Sequence, residues 1–362
     1  MRIQSLNLID FRSFASLRSE FPDGVNWLVG PNAAGKTNLI EAIYYLSLAR
    51  SFKKAADSEL IRIGSAEAQI LLKYHSEIDG DHVLEAHLIP QGKVIIFDAQ
   101  KEPSVNKILG KLLCLVYSPS SVSLFRGEPA ERRRFLDANL SLISDKYLYA
   151  LSRQKKLLKE RNTALAQDYD EDVIKVLTKE LVNISYRIWF ERKAFIQKIG
   201  ALITPIYDRL FLSSDQVRLS YKTDMPDDDA EEAFVKDFGQ RFDQLKSEER
   251  IRRMTLLGAQ KDDLEAEIDG KEVFAYASQG QNRLLVLALT IAVSQIIEEH
   301  YKEKPVLLLD DVMSDLDGDR KKALLAYLQD RGQTFITSAE NPEEDKKATV
   351  FEIRNQKIER RI

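Results

Sequence analysis

Apolar positions along this 362-residue chain fall into three regimes, strand-like at both ends and helical between. Met1 to Leu8 alternate as a strand does, and Val25 to Val29 form a short continuous apolar run of buried-strand type. Leu39, Ile40, Ile43 and Leu46 then recur at helical spacing. This texture lasts to about residue 125 and predicts α/β material. From about Glu128 to Leu212 strand-like runs become scarce. Leu151, Leu158 and Leu165 mark one helix; Leu177 and Ile184, then Leu181, Ile188, Phe195 and Leu202, mark another. Gln167 to Asp170 separates them, which predicts an antiparallel helical pair and not a long coiled coil. A helix over about Ala230 to Arg252 follows. Leu264 to Ile268 alternates, Asp269-Gly270 is a hairpin signal, and Val273 and Phe274 are expected to start the return strand. Strand and helix then alternate to the end. The expected division is a lobe split in sequence, 1–127 with 250–362, and an inserted helical arm lobe with its return segment over 128–249.

Composition narrows the class without choosing a function. Charged residues make up 30% and hydrophobic ones 44%, as in soluble globular proteins. The one cysteine, Cys114, excludes an intramolecular disulfide and fits a reducing compartment. The first residues lack a signal-peptide core, and the longest apolar stretch, Leu284 to Val293, is about half of what a membrane span needs. The expectation is a cytoplasmic protein without a membrane partner. Net charge is −4, so any nucleic acid must be met by a local patch. Two places offer one: Arg132-Arg133-Arg134, and the run Arg153, Lys155, Lys156, Lys159, Arg161. Arg132, Arg133, Arg153 and Lys156 are the candidate DNA contacts. The competing reading of the second run is a solvated helix face.

Chemistry concentrates at Gly30-Pro31-Asn32-Ala33-Ala34-Gly35-Lys36-Thr37, where the apolar strand runs into the helix. Glycine there lets successive backbone N–H groups turn onto phosphates, and the helix N-terminus adds positive potential. Lys36 is expected to reach the terminal phosphates and the Thr37 hydroxyl to sit on Mg²⁺. A second apolar run, Pro305 to Leu309, ends in Asp310 and Asp311. Asp310 is the expected metal-side carboxylate, and Asp311 the group that orients or deprotonates the attacking water. Between them, Ser278-Gln279-Gly280-Gln281 opens an apolar helix, where an exposed hydroxyl and unpaired N–H groups suit a γ-phosphate.

The order of phosphate loop, serine-glycine signature, acidic strand and Ser314 to Asp317 resembles the ATP-binding cassette class. In that class the signature serves the nucleotide held by the partner subunit, which implies two ATP molecules sandwiched in a homodimer. None of the four histidines lies in the strand Thr334 to Ser338, where a transporter cassette would carry its switch histidine. The helical insertion points to the chromosome-maintenance and repair branch, an SMC/Rad50-like head with a short arm.

Local strings narrow the match. Asp10 to Phe14, Asn32 to Ser47, Arg50-Ser51-Phe52, Gly127-Glu128-Pro129, Arg132 to Asp137, Leu158 to Asn162, Ser278 to Arg283 and Leu307 to Asp317 are similar to the RecF family of bacterial recombination mediators. That resemblance implies nucleotide contacts from Gly30 to Asn38 and from Arg12, with Lys36 and Asp311 catalytic. It also implies a weak, DNA-stimulated ATPase that dimerises with ATP on duplex DNA at single-strand gaps. With RecO and RecR as partners, such a protein helps load RecA in DNA repair, replication and the SOS response. A diverged SMC-like structural ATPase or another DNA clamp is the alternative. Three departures stand out: Pro119-Ser120-Ser121-Val122 where the family has Pro-Glu-Asp-Leu, Gly258-Ala259-Gln260-Lys261 where it has Gly-Pro-His-Arg, and Asn282 where glutamine is usual.

Overall fold

The first unit is built on two six-stranded sheets. In chain order it begins with β1 (Arg2–Phe11), β2 (Phe14–Glu20), β3 (Val25–Val29) and helix α1 (Lys36–Leu48), followed by the short helix α2 (Asp57–Leu60). Strands β4 (Ala68–Ser76), β5 (Gly80–Ile89), β6 (Gly92–Phe97), β7 (Gln100–Lys101) and β8 (Cys114–Tyr117) complete this run. In this computed structural model the described residues are 1–342 and 348–361.

One sheet is antiparallel, in the order β2-β1-β4-β5-β6-β7. Burial in β1 alternates on either side of a register shift between Ile3 and Ser5, with Ile3, Leu6 and Leu8 fully buried. The other carries the chemistry. Its strands β12 (Val306–Leu309), β13 (Thr334–Ser338), β14 (Thr349–Arg354) and β15 (Lys357–Arg361) join the first run in the order β15-β14-β3-β13-β12-β8. All but the β14–β15 pair are parallel. Every residue of β3 and β12 is buried, as continuous apolar strands in a covered parallel sheet must be. Phe21 wedges edge-on against Phe335 and Phe351, at centroid distances of 5.0 and 5.1 Å. Buried Gln333 exchanges hydrogen bonds with Ile3 N–H (2.7 Å) and C=O (2.9 Å) and so ties one sheet to the other.

The second unit contains helices α3 (Pro129–Ile143), α4 (Asp145–Ala166), most of α5 (Glu171–Phe211) and α6 (Glu231–Arg252). The turn at 167–170 lies where the sequence predicts it, and Ala164, Leu165 and Ile174 close the α4–α5 tip with Leu177. Leu181, Ile188 and Phe195 are buried, while Leu158, Ile184 and Leu202 are only partly covered. Phe234, Phe238 and Phe242 form a buried stripe at i, i+4 spacing along α6, with Trp189 against Phe234 at 5.2 Å. A three-stranded sheet, β11-β10-β9, completes the unit: β9 (Val217–Lys222), β10 (Asp263–Ile268), β11 (Lys271–Glu272).

Three expectations are corrected. The arm has a helix before the predicted pair, α3. The hairpin turn is present, but its return strand ends at Glu272; Val273 and Phe274 begin a short helix, α7 (Val273–Tyr276). The units also divide elsewhere: 1–123, 205–215 and 278–362 form the first, and 124–204 with 216–277 the second. Residues 250–277 therefore belong with the arm, because β10 pairs with β9 along its whole length.

Helices α8 (Gln279–Tyr301) and α9 (Gly318–Leu328) belong to the first unit. Among the described residues α8 alone is long and apolar enough to cross a membrane, a length the unbroken run Leu284 to Val293 understates. Its side chains from Leu284 to Ser294 are buried in the protein, as in a core helix.

Candidate nucleotide site

Strand β3 delivers the chain into the phosphate loop, and two glycines let it turn. Gly30 has φ 156°, and a Cβ there would lie 2.2 Å from Ile353 O; Gly35 has φ 106°, and its Cβ would meet the Phe14 ring at 2.7 Å. Helix α1 starts at Lys36. The resulting pocket, about 350 Å³, is lined by Asn32, Ala33 and Gly35 to Asn38 on one side, and by Asp310, Asp311 and Thr337 with Pro119 and Ala339 on the other.

Lys36 Nζ donates to the carbonyls of Gly30 (2.6 Å) and Pro31 (2.8 Å). Burial lowers its pKa, while Asp311 and Asp310 act in the opposite sense. The Thr37 hydroxyl donates to Asp310 Oδ1 at 2.9 Å, which brings the loop and the acidic strand together as the sequence predicts. Asp310 is 4% exposed. Burial raises its carboxyl pKa, opposed by hydrogen bonds from Thr337 (2.7 Å) and Thr37. Asp311 is exposed, in the left-handed region at φ 53°, and its N–H donates to Thr337 Oγ1 at 2.8 Å. Thr337 thus links the two acids, a role the sequence alone does not single out. The signal available was a hydroxyl near the end of an otherwise apolar parallel strand.

An oxygen-only set of one threonine hydroxyl and one carboxylate suits Mg²⁺, which keeps several waters and binds through one or two carboxylates plus phosphates. Among the described residues no cluster of three or more His, Cys, Asp or Glu offers an all-protein metal cage.

Arg12, a nucleotide contact by the family resemblance, is held here by other partners. Its Nε and Nη2 grip buried Glu41 at 3.0 and 2.9 Å, and its Nη1 donates to Glu59 O. Burial would raise the Glu41 pKa, but Arg12, Ser51 and Lys53 hold it below the ordinary range. Arg12 therefore braces α1 and does not line the pocket. Ser278 caps α8 in a reciprocal box: its Oγ accepts from Gln281 N–H (3.1 Å), and Gln281 Oε1 accepts from Ser278 N–H (3.0 Å). Ser278, Gln279 and Gly280 do not line the pocket of their own chain, and Gln279 and Gly280 are exposed. Two of the departures touch each other, since Asn282 Nδ2 donates to Val122 O at 2.7 Å.

The basic candidates separate on burial. Arg132 is 7% exposed and forks onto Asp263 at 2.6 and 2.8 Å, so it is a fastener and not a DNA contact. Arg133 is half-buried and gives one N–H to Asp262 O at 2.7 Å. Arg153 pairs with Glu180, and exposed Lys156 lies 3.8 Å from Glu160. Arg161 is buried against Glu249 (2.5 Å), so the second basic run is not one solvated face.

The sequence profile described as the RecF/RecN/SMC N terminal domain matches residues 2–360. The DNA replication and repair protein RecF of Lactobacillus johnsonii is 35% identical over 94% of this chain and 93% of its own. That of Oenococcus oeni is 34% identical, with 93% of each chain covered. The structure of a recombination mediator protein RecF with ATP, from the RecFOR pathway, superposes with a TM-score of 0.93 at 29% identity, covering 100% of this chain and 98% of the other. The Smc head domain of Pyrococcus furiosus shares the fold alone, with a TM-score of 0.59 at 15% identity over 99% of this chain and 96% of its own. The chain belongs to the RecF family of DNA replication and repair proteins and has the α/β head of the RecF/RecN/SMC class.

Proposed function

We propose that this protein binds ATP with Mg²⁺ in the loop pocket, dimerises on it, and uses slow hydrolysis to reset a clamp on duplex DNA. The observation that carries the reading is a complementary pair of half-sites in one chain. The pocket joins Lys36, Thr37, Asp310 and Asp311 but no signature residue, while Ser278 to Gly280 stand at the capped start of α8, outside it. A second copy supplies the missing half. Lys36 exchanges its carbonyl partners for phosphate oxygens, Thr37 and Asp310 hold Mg²⁺, and Asp311 orients the water. Held by Thr37 and Asp310, Mg²⁺ would supply charge neutralisation on the phosphates. Asp311 is one methylene shorter than glutamate, and the shorter reach accounts for slow turnover. Closure needs an interaction stronger in the dimer than in the monomer, and a γ-phosphate held from both sides provides it.

Working with RecO and RecR at duplex/single-strand junctions in the cytoplasm, the dimer helps load RecA. Its DNA contact is by exposed cations such as Lys156, with Arg153 released from Glu180. Sedimentation with and without ATP tests the core of this reading. Ser278→Arg is expected to abolish ATP-dependent dimers while leaving ATP binding intact, and a dimer persisting in that variant overturns it. DNA affinity should also fall steeply with salt.

A further inference from the structure

Within the second unit lies a cavity of about 470 Å³, which the nucleotide chemistry does not use. Segments far apart in the chain converge on it: Glu128 and Arg133 from the start of α3, Leu158 and Asn162 from α4, and Lys261 from the 258–261 departure. Met254, 42% exposed, also lines it.

The wall carrying Lys261 is fixed from behind. Arg161 donates to Thr255 Oγ1 (2.8 Å), which in turn donates to Asn162 Oδ1 (2.7 Å). Arg192 donates to Ala259 O (2.8 Å) and to Asp262 (2.6 Å), and Arg132 forks onto Asp263. A recognition loop held this way loses little freedom when something binds it.

Arg133 is the exception among these arginines. Arg132, Arg161 and Arg192 each have a carboxylate partner. Among the described residues Arg133 has only the Asp262 carbonyl, because the neighbouring carboxylates are already taken: Asp137 and Asp262 by Arg192, Asp263 by Arg132. Burial, with Arg192 nearby, lowers its pKa from the ordinary guanidinium value, while Asp263, Asp262 and Asp137 act in the opposite sense. Lys261 is exposed and has no ion-pair partner among the described residues. The Asn162 amide nitrogen adds unused donors, since among the described residues only its oxygen is engaged. The cavity is donor-rich and wants an anion.

We infer that this cavity docks an acidic, partly aliphatic peptide segment of a protein partner, with its carboxylate on Arg133 and Lys261 and its apolar side chain on Leu158 and Met254. Nucleic acid fits less well, because no aromatic ring lines the cavity to stack a base. The volume exceeds what one inorganic anion fills. This assignment rests on the second unit alone and stands apart from the ATP reading.

The probe is a fluorescein-labelled, end-blocked octapeptide of alternating aspartate and leucine, titrated into the full chain by anisotropy. The same peptide with asparagine for aspartate, inorganic phosphate and a single-stranded octanucleotide serve as comparisons. The acidic peptide is expected to bind and its asparagine version to bind at least about tenfold more weakly, the scale of one charge-assisted hydrogen bond. Arg133→Ala should cost a similar factor and Arg133→Lys less, since lysine keeps the charge but loses the fork. Lys261→Glu, at an exposed position, gives the same reading should Arg133→Ala fail to fold. Absence of peptide binding, or binding unchanged in both variants, overturns the inference. Displacement of the peptide by the octanucleotide but not by phosphate, with duplex-DNA affinity lost in Arg133→Ala, overturns it in favour of a DNA site.

Discussion

The phosphate-loop pocket of the first unit and the arginine network of the second use the same charged groups in opposite ways. In the pocket, among the described residues, Lys36 holds two carbonyl oxygens, Asp311 is exposed, and the Asp310 carboxylate is met by hydroxyls. In the network, Arg192 reaches Asp137, Asp262, Ala259 O and the Tyr147 hydroxyl, with the guanidinium and Asp262 both buried. A buried charge with a full set of partners is architecture, because any change of partner costs several kcal/mol. A charge held by neutral groups can exchange them for a ligand. Partnership, more than residue type, separates structure from function here.

The sharpest break of this contrast is Arg192→Leu. It leaves Asp262 and Asp137 without their cation, and roughly 3–5 kcal/mol of stability should be lost, read from urea unfolding of the second unit's helices. A cost below about 1 kcal/mol would mean the network is not the fastener described. Lys36→Ala should do the reverse. Stability should stay within about 1 kcal/mol of the parent, while ATP affinity falls by roughly 1.5–3 kcal/mol, about tenfold to a hundredfold. Calorimetric titration together with a melting curve checks both halves, and an unfolded variant would place Lys36 with the architecture.

The contrast also explains what the sequence could reveal. The phosphate loop, the acidic strand and the α4–α5 turn are local patterns, legible because their residues are neighbours in the chain. Arg132 and Arg161 look in sequence like the other basic residues beside them, because their partners Asp263 and Glu249 lie 131 and 88 residues away. Strand β9 is hidden for the same reason, since its pairing partner β10 arrives only after α6. Val273 and Phe274 suit a strand by residue type, yet the pairing with β10 stops at Lys271 and Glu272, and the chain coils before Ser278. The contact between Val122 and Asn282 spans 160 residues, so two departures that read as separate changes are one local adjustment.

Thr337→Val asks whether hydroxyl partners suffice in the pocket. Valine keeps the shape of the strand but removes the donor to Asp310 and the acceptor for Asp311 N–H. About 1–2 kcal/mol should be lost. The hydrolysis rate should fall more than ATP affinity, because Lys36 and Thr37 are untouched. A fall in affinity with an unchanged rate would show that Thr337 serves binding and does not set the two acids.

The smallest effect is the most discriminating, because it tests partnership inside the first unit. His82 lies between Asp98 (Nδ1, 2.7 Å) and Asp79 (Nε2, 3.2 Å), stacked on Phe97 and 13% exposed. Burial lowers its pKa, but the hydrogen bond to Asp98 and the neighbouring Asp79 carboxylate outweigh burial and hold it above the ordinary 6.5. A raised folded value means the imidazolium is favoured by the fold. Its stabilisation is therefore complete below about pH 6.5 and disappears as pH rises through the higher folded value. Each tenfold gain in proton affinity on folding is worth about 1.4 kcal/mol, and the site's partial exposure makes about 1 kcal/mol the upper expectation. Urea midpoints of the parent and of His82→Gln, compared at pH 6 and pH 9, should differ at the lower pH and converge at the higher. A constant difference would assign His82 to ring packing alone, and the rule drawn from the second unit would then not extend to charges on the first unit's antiparallel sheet.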